Sequence, residues 1–439
     1  MSDDRSAGYY RLLKNNRPFR NLWYGQVVSE LGDWLNSIAI YTLIIQLGGG
    51  GMAMGAAMMA KLLPIFFVSP LAGVLADRLD RKNIMFVSDL LRFVVVLGFL
   101  LVNDKDDLWL VYALTVVEIG LAGFFEPARS ALIPSLNRKE DLVTANALSG
   151  STWSVMLALG AALGGGVVSL FGIKTAFVLD AFTFLLSAWF ISRIQSPQKM
   201  NAPAAQPKHG GFQDLLDGMR YLWAEPLVLV LALLKSGLAV GGGLMTLIPL
   251  YAGKMFHSAS AISLATGVMY SARGIGALLG PILVKRFFGD STRVLQISIL
   301  ISFFLGAISF YLFSLSQSLW TASVSIAGVT FFMSIIWVFS SALIHQEAED
   351  RFLGRIFSTE MALLTLVMGL GNGAVGWSID MLGLSVSQVS FWIALLFVLP
   401  GSLWGGFLLF MSSRLKQGKC VGSICPVVPS DSNVPPTSL

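Results

Sequence analysis

The chain has 439 residues, of which 55% are hydrophobic and only 13% charged, and its mean hydropathy is +0.72. A soluble domain carries about 25% charged residues, so a water-soluble enzyme or binding module is excluded. The net charge of +5 collects in loops on one side of the apolar segments and is no nucleic-acid signal.

Apolar runs of about 20 residues, long enough to span a bilayer, recur along nearly the whole chain. Residues 1–21 form a polar, basic N-terminal arm (Arg5, Arg11, Lys14, Arg17, Arg20), in which no cleaved signal peptide is expected. Six spans follow, over 22–47, 52–76, 84–102, 108–132, 142–171 and 175–194. Residues 196–225 are a linker rich in Pro, Ala, Gln and Lys. Within it Phe212, Leu215, Leu216, Met219 and Leu222 recur at helical spacing, predicting an amphipathic interfacial helix. Six more spans run over 227–252, 261–284, 294–314, 319–344, 356–382 and 389–411. The Pro/Ser-rich tail 414–439 carries the only cysteines, Cys420 and Cys425, and has the composition of a disordered, inert segment.

The expectation is an all-α membrane protein with twelve transmembrane helices in two six-helix bundles, residues 22–195 and 226–413. The halves repeat. Arg17-Pro18 opens the first span and Glu225-Pro226 the seventh. Gly73 closes the second and Gly280 the eighth. Ser130–Ile133 ends the fourth, and the same four residues, Ser341–Ile344, end the tenth. Duplicated halves imply a substrate pathway between two bundles. The arm, the linker, the tail and the even-numbered loops hold most of the 30 Lys+Arg residues. The opposite loops hold only Lys105, Lys174 and Lys254. That bias places both termini in the cytoplasm.

Four bases lie inside spans, Lys61, Arg92, Lys235 and Arg273. Glu30, Asp33 and Glu118 are deep acids, with Asp89, Asp180 and Glu360 nearer the ends. A charge at mid-bilayer costs at least about 2.5 kcal/mol, so such residues face protein or water and are functional candidates. Gln26, Glu30, Asp33 and Ser37 make a polar stripe on the first span. Tyr112, Thr115 and Glu118 do so on the fourth, Thr266, Tyr270 and Arg273 on the eighth, and Thr330, Ser334, Trp337 and Ser341 on the tenth. Lys235 precedes Gly241–Gly243, a run that loosens the seventh span. Glu30 or Asp33 with Lys61, and Asp89 with Arg92, are the expected ion pairs. The second pair, and Asp180, are read as structural. Glu30, Asp33 and Glu118 are read as functional, because a carboxyl in a low-dielectric cavity can take a proton at one face and release it at the other. Lys235 and Arg273 either bind an anionic substrate group or neutralise a carboxylate across the cavity.

The loop from Gly73 to Met85 joins the second and third spans with Asp77, Arg78, Asp80, Arg81 and Lys82. It resembles the loop signature of the major facilitator superfamily, Gly-x-Leu-x-Asp-Arg-x-Gly-Arg-Lys, with Asp80 where that pattern has Gly. Leu31–Trp34, Glu126–Arg129 through Pro134, Thr144–Ala147, Asp214–Tyr221 and Leu353–Arg355 are similar to the drug:proton antiporter branch that includes macrolide-efflux and enterobactin-export carriers. The resemblance implies the major facilitator fold, with Glu30, Asp33, Glu118 and Lys235 lining a central cavity. It implies a gating role for Gly73, Asp77, Arg78, Arg81 and Lys82. Two departures bear on coupling. Gly165 stands in the fifth span where the antiporter motif has Pro, and the fourth span lacks the Arg that many proton antiporters carry.

The function expected is a proton-coupled exporter of amphiphilic small molecules in the bacterial inner membrane, acting as a monomer, with substrate-coupling candidates Glu30, Asp33, Lys61, Glu118, Lys235 and Arg273. The alternatives are an exporter or flippase of siderophore-like or lipid-like substrates, or a uniporter or importer without proton coupling. A primary pump is disfavoured because no Walker phosphate loop is present. A membrane enzyme is disfavoured because His209, His257 and His345 all fall in loops or at span ends. No metal or cofactor is expected.

Overall fold

The structure is a computed structural model that describes residues 3–195, 226–348 and 350–416. The amphipathic segment expected at 212–223 and the tail beyond 416 lie outside the described residues. Among those described, the fold is helical throughout.

A short helix, α1 (Asp3–Asn15), precedes the first span, so the basic arm is itself helical. Leu12 of α1 is buried against Phe19, Leu132 and Ile133, which docks the arm on the end of the bundle. The spans are α2 (Arg17–Gln46), α3 (Gly51–Arg78), α4 (Arg81–Gly98), α5 (Leu108–Leu136), α6 (Leu142–Phe171) and α7 (Ile173–Ser192). In the second half the seventh span is α8 (Pro226–Ala239) and α9 (Leu244–Met255). They are joined by a 3-10 turn over Val240–Gly243, where the glycine run breaks the α pattern. Then come α10 (Ala259–Phe288), α11 (Thr292–Ser314), α12 (Leu319–Glu347), α13 (Asp350–Met381) and α14 (Val386–Lys416).

Eleven stretches of the described residues are long and apolar enough to cross a membrane. The twelfth span, α2, has 30 residues, about 45 Å at 1.5 Å per residue. Glu30, Asp33, Asn36 and Ser37 lower its hydropathy. It spans nonetheless, because α2 packs between α6 and α7 and turns Ser29, Asn36 and Ser37 inward, where they are buried. Outward faces are apolar: Phe67, Leu91, Trp153, Leu170, Leu312 and Leu403 are exposed. Apolar surface outside with charge inside is the inverse of a soluble protein and fits a bilayer solvent.

Local chemistry sets the ends. Asn16 caps α2, accepting from the Phe19 N–H at 3.0 Å, and also donates to the Leu136 carbonyl at 2.8 Å. Asp80 caps α4, accepting from the Lys82 N–H at 2.9 Å, which gives the departure at that position a physical use. Gly48, at φ +74°, makes the turn between α2 and α3.

Helices α2–α7 pack among themselves, as do α8–α14. The two groups meet chiefly along α6 against α10 and α3 against α13. Both seams are built on glycine. A Cβ on Gly165 would lie 2.8 Å from the Ser263 carbonyl oxygen and 3.0 Å from the Gly267 Cα. Small residues let helix backbones approach in a membrane, where packing rather than hydrophobicity drives association.

Candidate functional site

The charged groups of α2, α4 and α5 converge on Arg92. Its guanidinium forms a salt bridge with Asp33 of α2, lies 3.9 Å from Glu118 of α5 and 4.0 Å from Asp89 on its own helix. It also donates to Ser29 Oγ at 3.4 Å. The Phe184 ring of α7 faces it at 4.0 Å, a cation–π contact that strengthens where water is excluded. Asn36 Nδ2 donates to the second oxygen of Glu118 at 2.8 Å. Asp180 sits opposite Gly32, whose missing side chain makes room: a Cβ there would lie 2.3 Å from its carboxylate. Thr183 donates to Asp180 at 3.3 Å. Four carboxyl groups therefore act on one guanidinium. Asp33 is the most exposed of them, with a side chain 40% exposed.

The expected Asp89–Arg92 pair exists, but at the limit of contact. The close partner of Arg92 is Asp33, from another helix. The ion pair expected between Lys61 and Glu30 or Asp33 does not form among the described residues. Lys61 Nζ donates to Ser37 Oγ and lies 5.3 Å from the Tyr41 ring, because Arg92 already holds Asp33. Glu30 faces a different neighbourhood. It accepts from Gln26 at 2.8 Å. Gln26 in turn accepts from Arg129 at 2.9 Å, and Arg129 pairs with Glu126 at 2.8 Å. The Glu126–Arg129 stretch thus reaches the polar stripe of α2.

In the other half Lys235 of α8 is held by Glu360 of α13 at 2.7 Å and by Ser341 of α12 at 2.7 Å. The Trp337 ring lies 4.8 Å away. Both ionic side chains are sealed, 3% and 0% exposed. Lys235 is thus paired with a carboxylate in this structure. Arg273 of α10 differs. Its carbonyl accepts from Thr330 at 2.8 Å and its guanidinium lies 5.8 Å from the Tyr270 ring, yet it makes no ion pair among the described residues. Tyr270 stacks on Tyr41 of α2 at 5.8 Å and touches Trp34 at 5.5 Å, so an aromatic group bridges the halves.

In the charged loop, Arg81 Nη1 donates to the Ala131 carbonyl at 2.8 Å, tying α4 to the end of α5. The side chains of Asp77 and Arg78, and the surroundings of Gly73, are not among those described. Reading the chain alone missed three things: Arg92 as the centre of the acid network, Glu360 as the partner of Lys235, and the Tyr41–Tyr270 stack. The polar spacing on the eighth span, with Tyr270 and Arg273 one turn apart, was the available signal for the last.

A bundle of membrane-crossing helices in two glycine-seamed groups, with paired charges buried inside each and a polar, aromatic zone between, defines a polytopic membrane carrier. The chain belongs to the Major Facilitator Superfamily, whose sequence profile matches residues 22–371; its members are transporters, not enzymes. It is 33% identical over 222 residues to the uncharacterized MFS-type transporter YfiS of Bacillus subtilis (strain 168), covering 50% of this chain and about half (52%) of that protein. It is 23% identical over 423 residues to macrolide efflux protein A of Streptococcus pyogenes, covering 93% of this chain and 95% of that one. The fold is similar to the crystal structure of the nucleoside transporter NupG, with a TM-score of 0.69 at 15% identity, over 90% of this chain and 99% of that chain.

Proposed function

We propose that this transporter is a proton-coupled exporter of amphiphilic small molecules, working by alternating access between halves 22–195 and 226–413. It sits in the bacterial inner membrane as a monomer with both termini cytoplasmic. The observation that carries the reading is the Arg92 network. Asp33 is exposed on one side and bound to Arg92 on the other, so a proton arriving from water neutralises the carboxylate that holds the guanidinium. Arg92 then has Glu118 and Asp89 as its remaining partners, at 3.9 and 4.0 Å. The exchange shifts α4 relative to α2 and α5, a local charge event that can bias a two-state element. Export, rather than import, is supported by the efflux name of a relative that aligns over almost its whole length. Lys61, Lys235, Arg273 and Glu30 complete the coupling and binding set, and the charged loop with Gly73, Asp77, Arg78, Arg81 and Lys82 gates the cytoplasmic ends.

The test is internal pH in proteoliposomes carrying the purified protein, recorded while amphiphilic cations, anions and neutral compounds are added. Substrate-evoked proton movement that disappears in Asp33→Asn and Glu118→Gln is the expected result. Substrate flux with no proton movement for any compound would return these carboxylates to a structural role and make the protein a uniporter or a carrier coupled to another ion.

A further inference from the structure

The arm before the first span encloses a second polar site, made of none of the residues of the Arg92 network. Where α1 turns into α2 it faces the loop between α5 and α6, and between them lies a cavity of about 660 Å³. That is within the size range of small-ligand sites. Arg11, Asn15 and Asn16 line it from the arm, and Arg138, Glu140 and Asp141 from the loop. The frame is fixed. Leu12 is buried against Phe19, Leu132 and Ile133. Asn16 Nδ2 donates to the Leu136 carbonyl at 2.8 Å and to Asn137 Oδ1 at 3.0 Å. Both arginines therefore border one volume, on backbone that is held in place.

Charge and level both bear on what fills it. Segments 11–20 and 136–141 carry six bases (Arg11, Lys14, Arg17, Arg20, Arg138 and Lys139) against two acids, Glu140 and Asp141. Among the described residues the one ion pair there joins Arg138 to Glu140 at 3.6 Å, with side chains 84% and 72% exposed. An exposed pair of this kind contributes little, so Arg138 can leave it for a better partner. The level follows from α2. Its 30 residues are about 45 Å long, against about 30 Å of hydrocarbon, so its first turn stands among lipid headgroups. Pro18, in that turn, is part of the cavity wall. Tyr10, exposed to solvent, lies about 200° around α1 from the buried Leu12, and tyrosine collects at membrane interfaces.

We propose that this cavity binds the phosphate headgroup of an anionic membrane lipid, held by Arg11 and Arg138. A phosphate diester offers two oxygens to a guanidinium, which binds them through two parallel hydrogen bonds. Basic clusters beside a membrane-crossing helix attract anionic lipids, and here the cluster surrounds a cavity at headgroup level. A free phosphate has the same chemistry, but a lipid phosphate is held at that level by the bilayer itself. Glu140 and Asp141 repel the anion and are outnumbered by the bases around them. A phosphate shared by the two arginines bridges α1 to the α5–α6 loop, so an occupied site holds the arm on the bundle.

The experiment uses full-length protein, stripped of lipid in a nonionic detergent, and three dioleoyl lipids that differ only in headgroup: phosphatidylglycerol, phosphatidylethanolamine and phosphatidylcholine. Inorganic phosphate is the fourth ligand. The rise in melting temperature is followed as each is added, and the half-saturating concentration is read. Phosphatidylglycerol is expected to half-saturate at a concentration about tenfold or more below the two zwitterionic lipids. In Arg11→Gln and in Arg138→Gln that preference falls to about threefold or less. Lys139→Gln, in the same loop but outside the cavity wall, keeps it, and Arg11→Lys keeps part. Both arginines are exposed, so the unliganded variants are expected to melt as the parent does, which separates lost binding from lost folding. Equal response to the three lipids, an undiminished preference in Arg11→Gln, or an equal loss in Lys139→Gln overturns the proposal. So does a rise with inorganic phosphate that matches phosphatidylglycerol, which would make the ligand a free anion. Transport is not measured, so a failure here leaves the export reading standing, and a failure of proton coupling in proteoliposomes leaves this site standing.

Discussion

Asp380, one residue before the end of α13, accepts hydrogen bonds from the backbone N–H groups of Gly51 at 2.8 Å and Met52 at 2.7 Å, the first two residues of α3. A carboxylate from one half thus caps a helix of the other. Helix α3 has no side-chain cap of its own, since Gly50 precedes it. The unsatisfied N–H groups and the positive end of the helix dipole both favour an anion there. This contact lies at the end of the bundle opposite the charged loop between α3 and α4. It holds that end closed in the conformation seen here.

Asp380→Asn keeps one acceptor oxygen but removes the charge and half of the cap. Loss of such a cap is worth about 1 kcal/mol, enough for a several-fold shift in a two-state equilibrium. The shift is expected toward the conformation in which this end is open. Spin labels on Met52 and Leu382, both exposed, give the distance across the seam, and its distribution should gain a longer component in the variant. An unchanged distribution would mean that the glycine seam alone holds the end shut.

A second expectation concerns Lys235 and Glu360, an ion pair closed off from solvent. Breaking a buried pair from one side leaves an uncompensated charge, which costs about 3–5 kcal/mol, whereas replacing both partners with neutral groups of similar volume is often close to harmless. Lys235→Met is therefore expected to lower the melting temperature strongly. Adding Glu360→Gln to it should restore most of the loss. The double-mutant cycle isolates the interaction of the two residues. If the double variant melts as low as the single one, the pair is not what makes Lys235 structurally important.

The spans were legible in the chain because hydropathy is a property of short windows. The charged loop was legible because charge cannot lie in hydrocarbon. Even the least apolar span, α2, could be placed by its length and by the spacing of Gln26, Glu30, Asp33 and Ser37. What escaped was pairing between helices. Arg92 stands 59 positions from Asp33, and nothing within one helix reveals which neighbour a long side chain will meet. Spacing of three residues made Asp89 the visible partner of Arg92 and hid the closer one. Lys61 was matched with acids of the first span by charge alone, yet its helix carries it to Ser37 and Tyr41. The arm was read from its charge only as a polar, basic segment. Its single buried leucine, Leu12, is too sparse an apolar signal to announce a docked helix.

The last expectation comes from the seam between α6 and α10. A Cβ on Gly165 would meet backbone atoms of Ser263 and Gly267 at 2.8 and 3.0 Å, whereas one on the adjacent Gly166 would meet nothing within 4 Å. Backbone cannot rotate aside as a side chain can, so Gly165→Ala must push the helices apart. Overpacking of this kind costs about 1–3 kcal/mol. The cost falls on this conformation, in which the halves touch at Gly165, and so unbalances the exchange between the two access states. Transport by Gly165→Ala is expected to fall roughly 5- to 150-fold, a range that follows from that energy. Gly166→Ala should transport at the parental rate, because its methyl points into open space. Initial rates of uptake in proteoliposomes, normalised to folded protein, make the comparison. Equal rates for the two variants would show that close approach at this seam is not part of the transport cycle.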